Sequence, residues 1–381
     1  MRICGVISEF NPFHNGHKYL LSKIRENGFD AVVCVMSGNF VQRGEYAAFD
    51  KRLRANSAVT GGADLVLSLP FPWSSASAEI FACAGIGILE KLGCVEAVAF
   101  GSECADISKI QKCAAFLSEI LPEDVKSLQK NNPKMSYAQA REKIVGEKLG
   151  NEYSELLSMP NDILAVEYVR AIKRLGSSIV PVPVKRVGAA HNDKDSSGNI
   201  SSSSVIRCMS ADSDFSGACE FIPERDIDYL KNNFRKVDKE AFFRILSGAV
   251  LSKEPSELCA ISEIGGGFEY ALYRELLASK TYDELFKALR SRHITDAKIR
   301  RAMLFTALGV KKEAFRYYPG YCEVLAFSEG GRKILSNIRK SCDITILSKA
   351  GNIKNASEQI REQFALERKA EIILEKIAYK L

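Results

Sequence analysis

Ile3-Cys4-Gly5-Val6-Ile7-Ser8-Glu9-Phe10-Asn11-Pro12-Phe13-His14-Asn15-Gly16-His17 opens the chain almost at its first residue. An unbroken apolar run, a short loop with Asn-Pro, then histidine and glycine at a helix start is the pattern of a buried strand feeding a helix. The same alternation continues outward. A helical stretch carries Leu20, Leu21 and Ile24 on one face and stops at Gly28. Ala31–Met36, Asp64–Leu69 and Val95–Phe100 form three further strand-like runs, and Ser75–Lys91 is helical between the last two. Strands that are apolar throughout, separated by helices, predict a doubly wound α/β fold with a parallel, Rossmann-like sheet covered on both faces. The run Ile179–Val184 contains Pro181 and Pro183, which predicts an edge strand.

Farther along, Asp106–Gly150 has helical character broken at Asn131-Asn132-Pro133, and another helix covers Ile163–Leu175. Ala189–Ser204 is rich in Gly, Ser, Asn and Asp, the composition of a loop. Beyond Phe221 the pattern is mainly helical without strand–helix alternation. The reading is therefore two domains: 1–220, nucleotidyltransferase-like and catalytic, and 221–381, mainly α-helical. A length of 381 residues suits two such units.

Composition narrows the function classes. With 53 Lys+Arg against 47 Asp+Glu, the net charge of +6 permits a polyanionic partner without demanding one. No secretory leader pattern and no apolar run of about twenty residues occurs, so a cytoplasmic protein without a membrane span is expected. The eleven cysteines are scattered and make no CxxC pair, so neither a disulfide framework nor a zinc site is expected.

Chemistry concentrates at the first strand–helix junction. Open α/β sheets place ligands at the carboxyl ends of their strands, and a helix N-terminus there offers free N–H groups to phosphate. His14 and His17, half of the four histidines, lie across that first helical turn beside Gly16. Both imidazoles can stabilise charge building on a phosphoryl transition state. Ordinary helix capping is the plainer account, and the clustering of Asn11-Pro12, His14, Gly16 and His17 at one junction weighs against it.

These residues carry a family resemblance. His14-Asn15-Gly16-His17 after an N-terminal strand is similar to the signature of HIGH-type nucleotidyltransferases. The longer run Glu9–His17, with Ser37–Glu45, Gly62–Val66, Leu69-Pro70, Phe100–Glu103, Pro160–Leu164, Arg186–Gly188 and Ile200–Arg207, resembles the tRNA(Met) cytidine acetate ligase family. The resemblance implies ATP-dependent acetylation of the N4 amine of the wobble cytidine of elongator tRNA(Met). Acetate would be activated as acetyl-adenylate, releasing pyrophosphate and then AMP. It implies catalytic roles for His14 and His17. The implied ATP site comprises Ile7, Ser8, Glu9, Phe10, Asn11, Pro12, Phe13, His14, Asn15, Gly16, His17, Lys18, Tyr19 and Leu20, then Gly101, Asn161, Arg186 and Val187. Ser202 and Ser203, in a serine run similar to a phosphate-touching motif of the superfamily, complete it. Ser68 departs from the pattern, since relatives tend to carry glutamate there. A magnesium ion is expected from phosphate chemistry, with no ligand set to name.

Arg43, Lys51, Lys298 and Arg301 are the expected tRNA contacts, the last two on one side of a helix from Asp296. A solvated charged face accounts for the same residues. Trp73 is read as core. Two other functions remain open: nucleotidyl transfer to a phosphorylated small molecule, for which about 150 helical residues are superfluous, and non-catalytic RNA binding, which leaves the paired histidines unused.

Overall fold

The computed structural model describes residues 1–132, 135–186, 219, 221–291, 294–338 and 342–380. Its first half follows the alternation in the sequence: β1 (Ile3–Ser8), α1 (Asn15–Glu26), β2 (Ala31–Ser37), α2 (Lys51–Thr60), β3 (Leu65–Leu69), α3 (Ala78–Lys91) and β4 (Ala97–Ser102). Three helices between Ile107 and Leu149 lead to α4 (Pro160–Leu175) and β5 (Val180–Lys185). β5 is the edge strand its prolines call for, paired only with β4.

The chain then builds a helical layer around α5 (Asp296–Leu308), and returns to the sheet. β6 (Tyr321–Phe327), α6 (Glu329–Ile338) and β7 (Thr345–Leu347) precede the long α7 (Glu358–Ile377). Among the described residues the main sheet has the order β7-β6-β3-β2-β1-β4-β5. Neighbours are parallel except β3 and β6, which run antiparallel. The sequence reading of a C-terminal half without strand–helix alternation is corrected here, because β6-α6-β7 extends the sheet.

Alternation along β1 and β2 sends Ile3, Ile7, Val33 and Val35 to the α3–α4 face, and Cys4, Val6, Val32, Cys34 and Met36 to the α1 face with Leu21 and Ile24. Both faces are buried, so the strands are apolar throughout. The cysteines among the described residues are free, most of them within these cores. A second core joins Phe242, Leu246, Leu272, Met303 and Phe305 of the helical layer to Phe40 and Phe71, which stand just beyond β2 and β3. The helical layer is thus packed onto the loops at the carboxyl end of the sheet. Trp73 is buried, its ring edge-on to Phe315.

Successive strands leave β1 in one direction through β2 and β3, then resume on its other side with β4. The crevice between the ends of β1 and β4 is therefore a topological switch point, where such sheets bind ligands.

Candidate active site

From the end of β1 the chain turns sharply. Phe10 takes a left-handed φ of 45°, a conformation that costs a non-glycine residue about 1–3 kcal/mol. Its fully buried ring, 5.2 Å from Phe13 and 4.8 Å from His17, offsets that cost by packing. Asn11 accepts the Ala48 N–H on Oδ1 at 2.8 Å. Arg54, wholly buried, donates to the carbonyls of Phe49 (3.0 Å), Glu9 (2.5 Å), Ser37 (3.1 Å) and Gly38. One guanidinium therefore fixes the loops after β1 and β2 together.

α1 begins with a reciprocal cap made by the two histidines. His14 Nδ1 accepts the Gly16 N–H at 3.1 Å, and His17 Nδ1 accepts the His14 N–H at 3.2 Å. The rings stack with centroids 3.7 Å apart. Gly16 is required by this arrangement, since a Cβ there would stand 2.9 Å from His14 Cε1. Burial, and then the Arg186 guanidinium, lower the His14 pKa to about 3. His17 is lowered well below the ordinary value by burial, His14 and Arg186, in that order. Both rings are accordingly neutral near pH 7. With each Nδ1 accepting, the ring proton sits on Nε2, so each imidazole is a donor through Nε2.

Across the crevice, Glu103 organises the end of β4. It accepts Asn161 Nδ2 at 2.5 Å on one oxygen and the Asp162 N–H at 3.0 Å on the other, and Arg186 Nε lies 4.0 Å away. Asp162 in turn accepts Ser102 Oγ at 2.5 Å and the Cys104 N–H. Gly101 faces Arg186: an added Cβ would meet its Cγ at 3.3 Å. His14, His17, Gly101, Asn161 and Arg186 are thus gathered at one place, and Glu103 ties three of their elements together.

The remaining residues of the first loop divide by environment. Ile7 packs into the sheet core against Gly85. Ser8 Oγ is buried without a hydrogen-bond partner among the described residues. Pro12 and Phe13 are buried, Asn15 gives its N–H to the Phe221 carbonyl at 2.9 Å, Lys18 is exposed, and Tyr19 and Leu20 are half-buried. Val187, Ser202 and Ser203 lie outside the described residues.

Two of the expected tRNA contacts are corrected. Lys51 is 7% exposed, with Nζ 2.6 Å from Glu371, 3.5 Å from Glu367 and bonded to Glu323. Arg301 is equally buried, paired with Glu263 at 2.7 Å, so Lys298 and Arg301 do not present one basic face. Arg43 is exposed on the turn after β2, and Lys298 is half-buried at the start of α5. Sequence reasoning passed over Glu103 and Arg54 as organisers, and Glu323, Glu367 and Glu371 entirely. Those three carboxylates are the one group with metal-ligand spacing among the described residues, and the Lys51 ammonium already serves as their cation.

A neutral histidine pair, an arginine and a helix N-terminus at the switch point define a nucleotide-handling α/β enzyme. Consistent with this, the family model described as HIGH Nucleotidyl Transferase matches residues 1–380. A tRNA(Met) cytidine acetate ligase of Caldanaerobacter subterraneus subsp. tengcongensis is 34% identical over 370 residues, 95% of this chain and 92% of that protein. One from Acetivibrio thermocellus is 32% identical, covering 96% and 93% of the two chains. Thermotoga maritima TmcAL bound with alpha-thio ATP superposes with a TM-score of 0.85 at 30% identity, over 97% of this chain and 93% of that one. The chain belongs to the tRNA(Met) cytidine acetate ligase family of HIGH nucleotidyltransferases.

Proposed function

We propose that this chain uses ATP to acetylate the N4 amine of the wobble cytidine of elongator tRNA(Met), passing through acetyl-adenylate. The observation that carries the reading is the reciprocal cap of His14 and His17. It commits both Nδ1 atoms to the backbone and leaves two Nε2–H donors beside Arg186. Acetate attacks the α-phosphorus and pyrophosphate departs. The Nε2–H groups donate to phosphate oxygens as charge moves onto the leaving group, and the Arg186 field supplies the positive charge that neutral imidazoles lack. The positive end of the α1 dipole adds to that field, its first N–H groups being held by the Phe221 carbonyl, His14 Nδ1 and the His14 carbonyl. Asn161, held by Glu103, offers a donor and an acceptor to the adenosine, and Gly101 leaves room for it.

Glu103 and Asp162 spend their oxygens on Asn161, Ser102 and backbone N–H groups, so they do not form a ready magnesium site. A magnesium ion in this scheme is held by the triphosphate itself. The tRNA lies over the loops after β2, reached by Arg43, and over α5 at Lys298. No helix among the described residues is long and apolar enough to cross a membrane.

The test is a pair of reactions with purified protein. Acetate-dependent exchange of labelled pyrophosphate into ATP, without tRNA, reports the first step. Label from acetate appearing in cytidine of tRNA(Met) reports the second. Exchange that is absent, or independent of acetate, refutes the adenylate route, and unlabelled tRNA refutes the acetylation.

A further inference from the structure

The second step lacks a proton acceptor in the scheme above. We propose that Glu9 is the general base that takes the N4 proton of the cytidine as it attacks acetyl-adenylate. This rests on the two-step reading.

The candidates can be separated by what their lone pairs already do. His14 and His17 accept backbone N–H groups at Nδ1, at 3.1 and 3.2 Å, and present protons at Nε2. They can donate to phosphate but have no free lone pair for a proton. Glu103 accepts on both oxygens, from Asn161 and the Asp162 N–H, and stands beside Arg186. Asp162 accepts from Ser102 and the Cys104 N–H. Each of these carboxylates is locked as an organiser. Glu9, at the carboxyl end of central β1, accepts only the Gln42 N–H, at 2.9 Å on Oε1, among the described residues. The residue is half-buried, and its second oxygen is not among the buried unpartnered atoms. A carboxylate with one oxygen anchored and the other open is the arrangement a base requires.

The backbone holds that carboxylate in place. Arg54 donates to the Glu9 carbonyl at 2.5 Å, and Phe10 is pinned by its buried ring, so the Glu9 backbone is fixed at the carboxyl end of β1 and its carboxylate is anchored to the loop after β2. Burial raises its pKa above the ordinary carboxylate value, against the lowering effects of the Gln42 N–H and of Arg43 and Arg54. A carboxylate with a raised pKa is the better proton acceptor.

The step balances. The N4 lone pair forms a bond to the acetyl carbonyl carbon, one N4 proton passes to Glu9, the bond from that carbon to the adenylate oxygen breaks, and AMP leaves with the electron pair. Glu9 returns the proton to solvent.

Glu9→Gln keeps an oxygen for the Gln42 N–H and removes the base. We expect single-turnover transfer from supplied acetyl-adenylate to tRNA(Met) to fall on the order of 100-fold or more. A melting curve shows that the variant is folded, and whatever loss Glu9→Gln causes in acetate-dependent pyrophosphate exchange should be at least about tenfold smaller than the loss in transfer. The acidic limb of the transfer rate against pH should disappear, and Glu9→Asp should recover part of the rate with the limb restored. Transfer by Glu9→Gln within a few-fold of wild type, or a drop equal in both half-reactions, overturns the assignment. A wild-type protein that shows no exchange and ignores supplied acetyl-adenylate overturns the two-step reading, and this one with it.

Discussion

Replacing Lys51 with methionine should weaken the fold far more than it weakens tRNA binding. The ammonium lies 2.6 Å from Glu371, 3.5 Å from Glu367 and in contact with Glu323, and all four side chains are at most 11% exposed. These contacts join α2 to β6 and α7. Methionine fills the volume of the stem but leaves three buried carboxylates with, among the described residues, one cation, Arg368 on Glu371, and the Tyr321 hydroxyl donating to Glu367 at 2.7 Å. Removing one partner from a buried ionic group typically costs about 3–5 kcal/mol. The cost should depend on pH in a definite direction. Burial, then the repulsion of Glu323 and Glu371 acting against the pull of Lys51, puts Glu367 at about 7. A carboxyl whose folded pKa exceeds its unfolded value binds more protons folded, so its contribution to stability declines as pH rises between those values. Without Lys51 the Glu367 carboxyl loses the charge that holds it down, so the penalty should be largest above pH 7 and shrink toward pH 5. Urea unfolding of both proteins at pH 5, 6, 7 and 8 measures this. A loss below about 1 kcal/mol at pH 8, or one that grows on acidification, refutes the buried-cluster account. A selective rise in the KM for tRNA with unchanged stability would restore Lys51 to the RNA surface.

Two further outcomes follow from the same structure. His14, held at about 3 by burial and Arg186, should not titrate between pH 5 and 8 in the ligand-free protein, as read by imidazole NMR shifts. Because its folded value lies below the unfolded 6.5, its stabilising effect is complete above pH 6.5. The effect is lost at up to about 1.4 kcal/mol per pH unit as pH falls toward 3. Gly331→Ala should lower unfolding stability by roughly 1–3 kcal/mol or more, because its Cβ would fall 1.9 Å from the Asp64 carbonyl oxygen; thermal or urea unfolding checks this.

Legibility in the sequence followed the range of the interactions. β1 and α1 could be read because their signals are local: an apolar run, then Asn11-Pro12, His14, Gly16 and His17 in one loop and turn. Gly101 could be assigned to the ATP site because Phe100-Gly101 ends a strand of the same kind, while the switch point itself needed the strand order. β6 escaped because its pairing with β3 joins residues some 255 positions apart, as in the bond from Glu323 N–H to Ser68 Oγ, and Glu323 interrupts its apolar pattern. The Lys51 cluster escaped for the same reason. Asp50-Lys51 looks like a solvated helix start, and only the return of β6 and α7 encloses it. A partial signal existed: Glu367 and Glu371 are four apart on one helix, a repulsive spacing unless a cation stands between them. The paired basic face of Lys298 and Arg301 failed because helical spacing does not reveal that Glu263 covers one of the two.

The central claim is that the Nε2–H groups of His14 and His17 meet the triphosphate at the end of β1. The most direct measurement is the single-turnover rate of AMP formation from ATP, acetate and tRNA(Met) by His17→Ala, beside a melting curve showing that it is folded. The account predicts a fall on the order of 100- to 1,000-fold, the effect of losing one transition-state donor. A folded His17→Ala protein that forms AMP within twofold of the wild-type rate would contradict it.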